Sequence, residues 1–340
     1  MSDDVLIIAE IGVNHNGDLD LAKRMIDAAA EADADVIKFQ SFVPELLMLD
    51  SAPKAEYQKD STGAEQSAID MIASLQLSFS QFRELKSHVE SRGKVFLSTA
   101  FDLQSLRFLA ELGLTTFKIP SGEITNLPYL RAIAELADDI IMSTGASDLG
   151  DARAAFEAIM ATGFPAERFT VLQCNTAYPS PVDDANLLAM VAMGADLGVA
   201  YGYSDHTRGA SAPLAAVALG ATVIEKHFTT DSTLPGPDQA ASMEAADFAK
   251  MVTSIREVGR ALGSPLKAVT DSERDNRTIV RRGVYAARDL PAGAVLGWDD
   301  IVCLRPENGL SPMRLDDVIG RPLRHALLRH EPVSLDAVLD

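Results

Sequence analysis

His206, in the stretch YSDHT, and His227, in EKHFT, each close a short apolar run of this 340-residue chain. If two such runs are neighbouring strands of one sheet, side chains at the same height come within reach of a single cation. Two imidazoles with a nearby carboxylate and waters suit Mn²⁺, Mg²⁺, Co²⁺ or Zn²⁺; the same spacing also suits two hydrogen-bonded pocket histidines. His88, His325 and His330 read as structural or solvent-facing. A second constellation is Lys38, in VIKFQ, and Lys118, in FKIPSGE, both inside otherwise apolar runs. Burying an unpaired ammonium is costly, so each needs a counter-charge. One reading pairs them with Glu10, Glu123 or Glu225. The other has them hold phosphate and carboxylate oxygens, helped by the hydroxyls of Thr99, Ser121, Ser143 and Ser204. The triplet Ser143-Thr144-Gly145 adds small residues and backbone N–H groups that can approach such oxygens.

These residues fall in a pattern. Eight continuous apolar runs, VLIIAEIG, DVIKFQ, KVFLSTAF, TTFKIPSGE, DIIMSTG, FTVLQCNTAYP, LGVAYGYSDHT and ATVIEKHFT, each finish on polar residues. Continuous Val/Ile/Leu/Phe runs suit parallel strands buried on both faces. Amphipathic, Ala-rich stretches separate them, the first after Asp18 and Asp20, several ending on Gly. Eight strand–helix units predict an α/β fold, a (β/α)8 TIM barrel, whose chemistry gathers at the C-terminal strand ends. The long connection SAIDMIASLQLSFSQFRELKSHVESRG is expected to break near Ser78. Residues 44–66 fit neither period and read as a loop insertion on the catalytic face, a lid or a plain surface loop.

Near residue 264 the pattern changes. A polar stretch leads into RRGVYAARDLPAGAVLGWDDIVCLRPENGL, where short β-type runs alternate with turns such as Pro291-Ala-Gly293. The expected organisation is a barrel over 1–264, a linker over 265–280 and a small β-rich domain over 281–340, which needs the barrel or a partner subunit to pack on. A net charge of −19 argues against nucleic acid or an anionic membrane as partner. No apolar run approaches a membrane span, and Cys174 and Cys303 lack metal-site or disulfide-framework spacing. The expectation is a soluble cytoplasmic enzyme.

AEIGVNHNGDLDLAKRMIDAAAEADADVIKFQ, FKIPSGEITNLP, MSTGAS, YSDHT, EKHFTTD and PGPDQAASM together resemble the sialic acid synthase family of nonulosonic acid synthases. The last segment, RRGVYAARDLPAGAVL through CLRPENGLSPMRLDDVIGRPL, resembles the antifreeze-protein-like (SAF) domain of those enzymes. The resemblance implies condensation of phosphoenolpyruvate with an N-acetylmannosamine-type sugar, giving a nine-carbon 2-keto acid and phosphate. A sister enzyme acting on a 2,4-diacetamido-2,4,6-trideoxyhexose, making legionaminic or pseudaminic acid, is the alternative. It further implies a divalent metal, Mn²⁺ or Mg²⁺ with Co²⁺ as a third choice, on His206 and His227. Lys38, Thr99, Lys118, Ser121, Ser143, Thr176 and Ser204 match the phosphoenolpyruvate positions. Gln40, Tyr178, Asp238 and Arg305 match the sugar positions, Arg305 reaching in from the partner of a domain-swapped homodimer. Glu123 is the implied proton-transfer or oxocarbenium-stabilising group, and Glu10 is placed near sugar and metal. Two departures bear on the sugar pocket: Glu307 replaces a glycine in the turn after Arg305, and Thr176 replaces an asparagine.

Overall fold

A computed structural model describes residues 5–55, 58–59 and 66–339, and the chain divides into two compact units, Met1–Gly263 and Ser264–Asp340. In the first, every expected apolar run is a strand: β1 Leu6–Gly12, β2 Val36–Ser41, β3 Val95–Ala100, β4 Thr116–Ile119, β5 Asp139–Ser143, β6 Phe169–Cys174, β7 Ala200–Asp205 and β8 Val223–Thr229. Neighbours in sequence pair in parallel, and β1 also pairs with β8, which closes the barrel. Burial on both faces explains the continuous apolar runs: Ile7, Ile8, Phe39, Phe117, Ile119, Phe169 and Phe228 are all fully or nearly fully enclosed. A two-residue strand, β9 Met243–Glu244, is added beside β8.

Local signals start the surrounding helices. Asp18 accepts from the N–H groups of Asp20 and Leu21 to open α1, Leu19–Glu31, which buries Ala22, Met25, Ile26 and Ala29 at helical spacing. A short α2, Pro44–Leu47, occupies the start of the 44–66 insertion, and the Val43 N–H ahead of it is fixed to Asp102. Residues 56–57 and 60–65 of that insertion lie outside the described residues. The long connection breaks where expected: α3, Ala68–Leu75, ends before Ser78, whose hydroxyl forms a reciprocal cap with Gln81 and opens α4, Phe79–Ser91. The remaining barrel helices are α5 Leu103–Glu111, α6 Leu127–Leu136, α7 Leu149–Met160, α8 Leu187–Leu197, α9 Ser211–Ala218 and α10 Ala245–Leu262.

In the second unit, β10 Gly283–Ala286 and β11 Ile301–Leu304 form an antiparallel pair, with isolated bridges such as Leu290–Leu327 and Val295–Pro322 around it. Val284, Leu290, Leu296, Leu323, Leu327 and Val333 form its own apolar core. Within 265–280, read from sequence as linker, stands a helix, α11 Asp271–Val280, with no buried residue. Reciprocal capping by Thr270 and Glu273 starts it, in the absence of any inward apolar face. Among the described residues no helix is long and apolar enough to cross a membrane. Cys174 and Cys303 are free thiols.

Candidate active site

Strand register sets the heights of the side chains. Glu10 on β1 stands opposite Lys38 on β2 and His227 on β8. Thr99 on β3 is opposite Gln40 on one side and Lys118 on the other, and Ser204 on β7 is opposite Glu225 on β8. Strand side chains alternate between faces, so Glu225 and His227 share the barrel interior, Glu225 one layer deeper, while Lys226 between them faces outward.

Inside the mouth these groups form one buried network. The Lys38 ammonium lies 2.7 Å from Glu10 Oε2 and donates to Thr99 at 3.1 Å. Lys118 donates to Ser143 at 2.6 Å. Both lysines approach the same atom, Glu225 Oε1, each at 3.7 Å, and the Ser204 hydroxyl donates to that atom at 3.1 Å. Gln40 donates to the other oxygen of Glu10 at 3.0 Å. Gly12, at φ +56°, leaves room for that contact, since a Cβ there would stand 3.1 Å from Gln40 and 3.2 Å from Glu10. Burial pushes both carboxylates up, and they differ in acidity by how strongly the lysines oppose it. It pushes Glu10 up to about 7, with Lys38 opposing. For Glu225 burial acts the same way, but Lys118 and Lys38 outweigh it and hold the group below the usual carboxylate range. Glu225 is thus a fixed negative charge, and Glu10 is poised to carry a proton near neutral pH. Burial also pulls Lys118 below the ordinary lysine range, whereas for Lys38 the two carboxylates overcome it.

The histidine rings sit at the same mouth, centroids 5.2 Å apart, with Tyr178 4.1 Å from His206 and 5.5 Å from His227. They fit a divalent cation on two counts. His227 Nδ1 is buried without a hydrogen-bond partner, and burial, then His206 and the lysines, hold this imidazole well below its usual pKa, hence neutral. His206 Nδ1 contacts the Asn175 carbonyl, which can only accept, so that nitrogen donates and Nε2 keeps a lone pair. Burial lowers His206 as well, but Cys174, its sulfur 3.8 Å from Nδ1, outweighs it and the net shift is upward, favouring a second proton on Nε2 that a cation there would displace. Asp238, which burial pushes up to about 6, stands 4.0 Å from His227 Nδ1. Among the described residues no group of three or more His, Cys, Asp or Glu side chains is arranged to hold a metal, so other positions around a cation on these histidines would fall to water and substrate.

The other expected residues separate into those at this network and those beside it. Ser121 accepts from the Gly145 N–H at 2.9 Å. A Cβ at Gly145 would stand 2.7 Å from Thr176 and 2.9 Å from Ser121, so the glycine lets the loops after β4, β5 and β6 meet. Glu123 does not pair with the lysines. It is half-buried on the turn after β4, and its carboxylate accepts from Asn126 at 2.5 Å. Arg305 is exposed in the second unit. There the Glu307 N–H donates to the Thr278 carbonyl at 3.0 Å and its carboxylate lies 3.9 Å from Arg281, so Glu307 ties the turn to the end of α11.

Glu225 is the residue the strand-end reading undervalued, as one of three candidate counter-charges. The signal was present: Glu-Lys-His puts it two positions before a candidate ligand, on the same strand face. Asn175 and Cys174, which orient His206, carried no sequence signal.

The chain matches the NeuB family over residues 25–267 and the SAF domain over 281–339. It belongs to the NeuB family. It shares 45% identity over 316 residues with the N,N′-diacetyllegionaminic acid synthase of Campylobacter jejuni, covering 93% of this chain and 95% of the relative. Identity with the enzyme of that name from Legionella pneumophila is 42%, over 93% and 90% of the two chains. Among solved structures, the N-acetylneuraminic acid synthetase of Leptospira borgpetersenii superposes with a TM-score of 0.70 at 34% identity, over 80% of this chain and 90% of that one. This NeuB-family protein is therefore an enzyme of nonulosonic acid synthesis, a TIM barrel followed by a SAF domain.

Proposed function

We propose that this NeuB-family enzyme condenses phosphoenolpyruvate with a 2,4-diacetamido-2,4,6-trideoxyhexose and water, giving N,N′-diacetyllegionaminic acid and inorganic phosphate. One observation carries the reaction: two buried lysines and a row of hydroxyls share a barrel mouth with two histidines whose ring centroids stand 5.2 Å apart. At the level of reaction class this agrees with the expected N-acetylmannosamine-type synthase. The acceptor follows the higher identity to the two legionaminic acid synthases, 45% and 42%, than to the sialic acid synthetase structure, 34%.

In this reading Lys38 and Lys118, with Thr99, Ser143, Ser204, Ser121 and Thr176, hold the phosphate and carboxylate of phosphoenolpyruvate by charge-assisted hydrogen bonds. Gln40, Tyr178 and Asp238 orient the sugar. His206 and His227 hold a divalent cation, Mn²⁺ or Mg²⁺, which when bound supplies Lewis-acid stabilisation of negative charge developing on the aldehyde oxygen. Carbon 3 of phosphoenolpyruvate attacks the aldehyde carbon, forming the new C–C bond and leaving positive character at carbon 2. Water adds there, and the C–O bond to phosphate breaks as the 2-keto acid forms. The added water loses both protons, one balanced by the proton that the aldehyde oxygen gains and the other leaving with phosphate. Glu10, whose buried carboxyl titrates near neutrality, and Glu123, on the turn after β4, are the groups to move them. Arg305 contributes to the sugar site from the partner subunit of a homodimer. Exposed apolar side chains around α11, Leu266, Ile279 and Val280, support an interface there. A cytoplasmic location is part of this reading, supported by the use of phosphoenolpyruvate, a central metabolite, as substrate.

The test is phosphate release with phosphoenolpyruvate and Mn²⁺ over a panel of acceptors. Release with the 2,4-diacetamido trideoxy sugar of manno-type configuration, abolished by EDTA and restored by Mn²⁺, is expected. Preference for N-acetylmannosamine would move the assignment to the sialic acid branch, and silence with all acceptors would contradict the reaction.

A further inference from the structure

Two buried ammonium groups at one barrel mouth repel each other, and the free enzyme must hold them together before any anion arrives. Each lysine has a private partner: Glu10 and Thr99 for Lys38, Ser143 for Lys118. What they share is a single atom, Glu225 Oε1, 3.7 Å from each, so the two nitrogens cannot be farther apart than twice that distance. Among the described residues Glu225 is the only carboxylate within ion-pair distance of Lys118. The shared oxygen is itself fixed by the Ser204 hydroxyl at 3.1 Å, and Glu225 is 5% exposed. A separation of 3.7 Å is too long for a hydrogen bond. The carboxylate therefore supplies charge to both lysines without taking a hydrogen bond from either, and its second oxygen, Oε2, has no hydrogen-bond partner.

We propose that Glu225 is a positioning residue that holds the Lys38 and Lys118 ammonium groups together, at the spacing that the phosphate and carboxylate of phosphoenolpyruvate require. This rests on the reading of the two lysines as phosphoenolpyruvate ligands. It also makes a prediction of unusual sign. A carboxylate that merely shared the cavity would repel the substrate anion, and its removal would tighten binding. A carboxylate that gathers the lysines does the reverse.

The experiment is calorimetric titration of phosphoenolpyruvate, and separately of Mn²⁺, into wild type, Glu225→Gln, Lys118→Met and the double variant. Glutamine keeps the size of the side chain and an acceptor for Ser204 while deleting the charge. Glu225→Gln is expected to raise the phosphoenolpyruvate Kd about tenfold, with Mn²⁺ affinity and the melting temperature close to wild type. In the Lys118→Met background the same substitution is expected to add much less, because its effect runs through the lysine. Unchanged or tighter phosphoenolpyruvate binding by Glu225→Gln, or full additivity in the double variant, would overturn the inference. So would a parallel fall in Mn²⁺ affinity, which would make Glu225 a support of the metal site. If Lys118→Met itself leaves phosphoenolpyruvate binding untouched, it is the lysine reading that fails, and the inference falls with it.

Discussion

Strand β8 carries buried lysine–carboxylate contacts on both of its faces, and they differ. On the outside, Lys226 lies 2.5 Å from Asp205 Oδ2 and donates to the Thr207 carbonyl at 2.6 Å, while the other oxygen of Asp205 accepts from the Thr207 N–H. Both oxygens of that carboxylate are committed. On the inside, Lys38 and Lys118 stand 3.7 Å from Glu225, whose second oxygen has no hydrogen-bond partner, beside a His227 nitrogen that also has none. Burying charge is costly in both places, yet only the outer pair is closed. A closed pair has nothing left to offer a ligand. An open one keeps donors and acceptors for a substrate or a cation, and buried polar atoms left unpartnered by the protein alone mark where those belong.

The largest effect should follow from emptying the open side. His227→Ala is expected to lower kcat on the order of 10³-fold or more, with Mn²⁺ binding lost and the circular dichroism spectrum unchanged. Wild-type turnover would refute the ligand assignment. Next comes the closed side. Lys226→Met strands Asp205 in an apolar layer and should cost about 3–5 kcal/mol of stability in denaturant titrations. A variant as stable as wild type would show that the outer pair is not structural. Smaller again is a change away from either face of β8: Arg305→Ala is expected to raise the sugar KM about tenfold and leave the phosphoenolpyruvate KM alone. Equal changes in both constants would remove Arg305 from the sugar site.

The same contrast explains what the sequence disclosed. The eight strands were legible because burial on both faces demands continuous apolar runs, and Lys38, Lys118, His206 and His227 stood out as interruptions of them. Lys226 interrupts β8 just as plainly, and only its side of the strand tells it from Glu225 and His227. Pairing was less legible: Glu10, Glu123 and Glu225 were equal candidates for the lysines, and the structure selects Glu10 and Glu225 while Glu123 turns to Asn126. The helix α11 was missed because capping starts it, and DSERDNRTIV confines its apolar residues to the last turn, at Ile279 and Val280. Asn175 acts through a backbone carbonyl, which no residue type announces.

The measurement that bears most directly on the open and closed pairs is phosphoenolpyruvate binding by Lys118→Met and Lys226→Met, titrated side by side by calorimetry at a temperature where both are folded. Loss of affinity of about 10²-fold in Lys118→Met, with Lys226→Met within twofold of wild type, is the expected result. Equal loss in both, or loss confined to Lys226→Met, would contradict the assignment of the inner, open network as the substrate site.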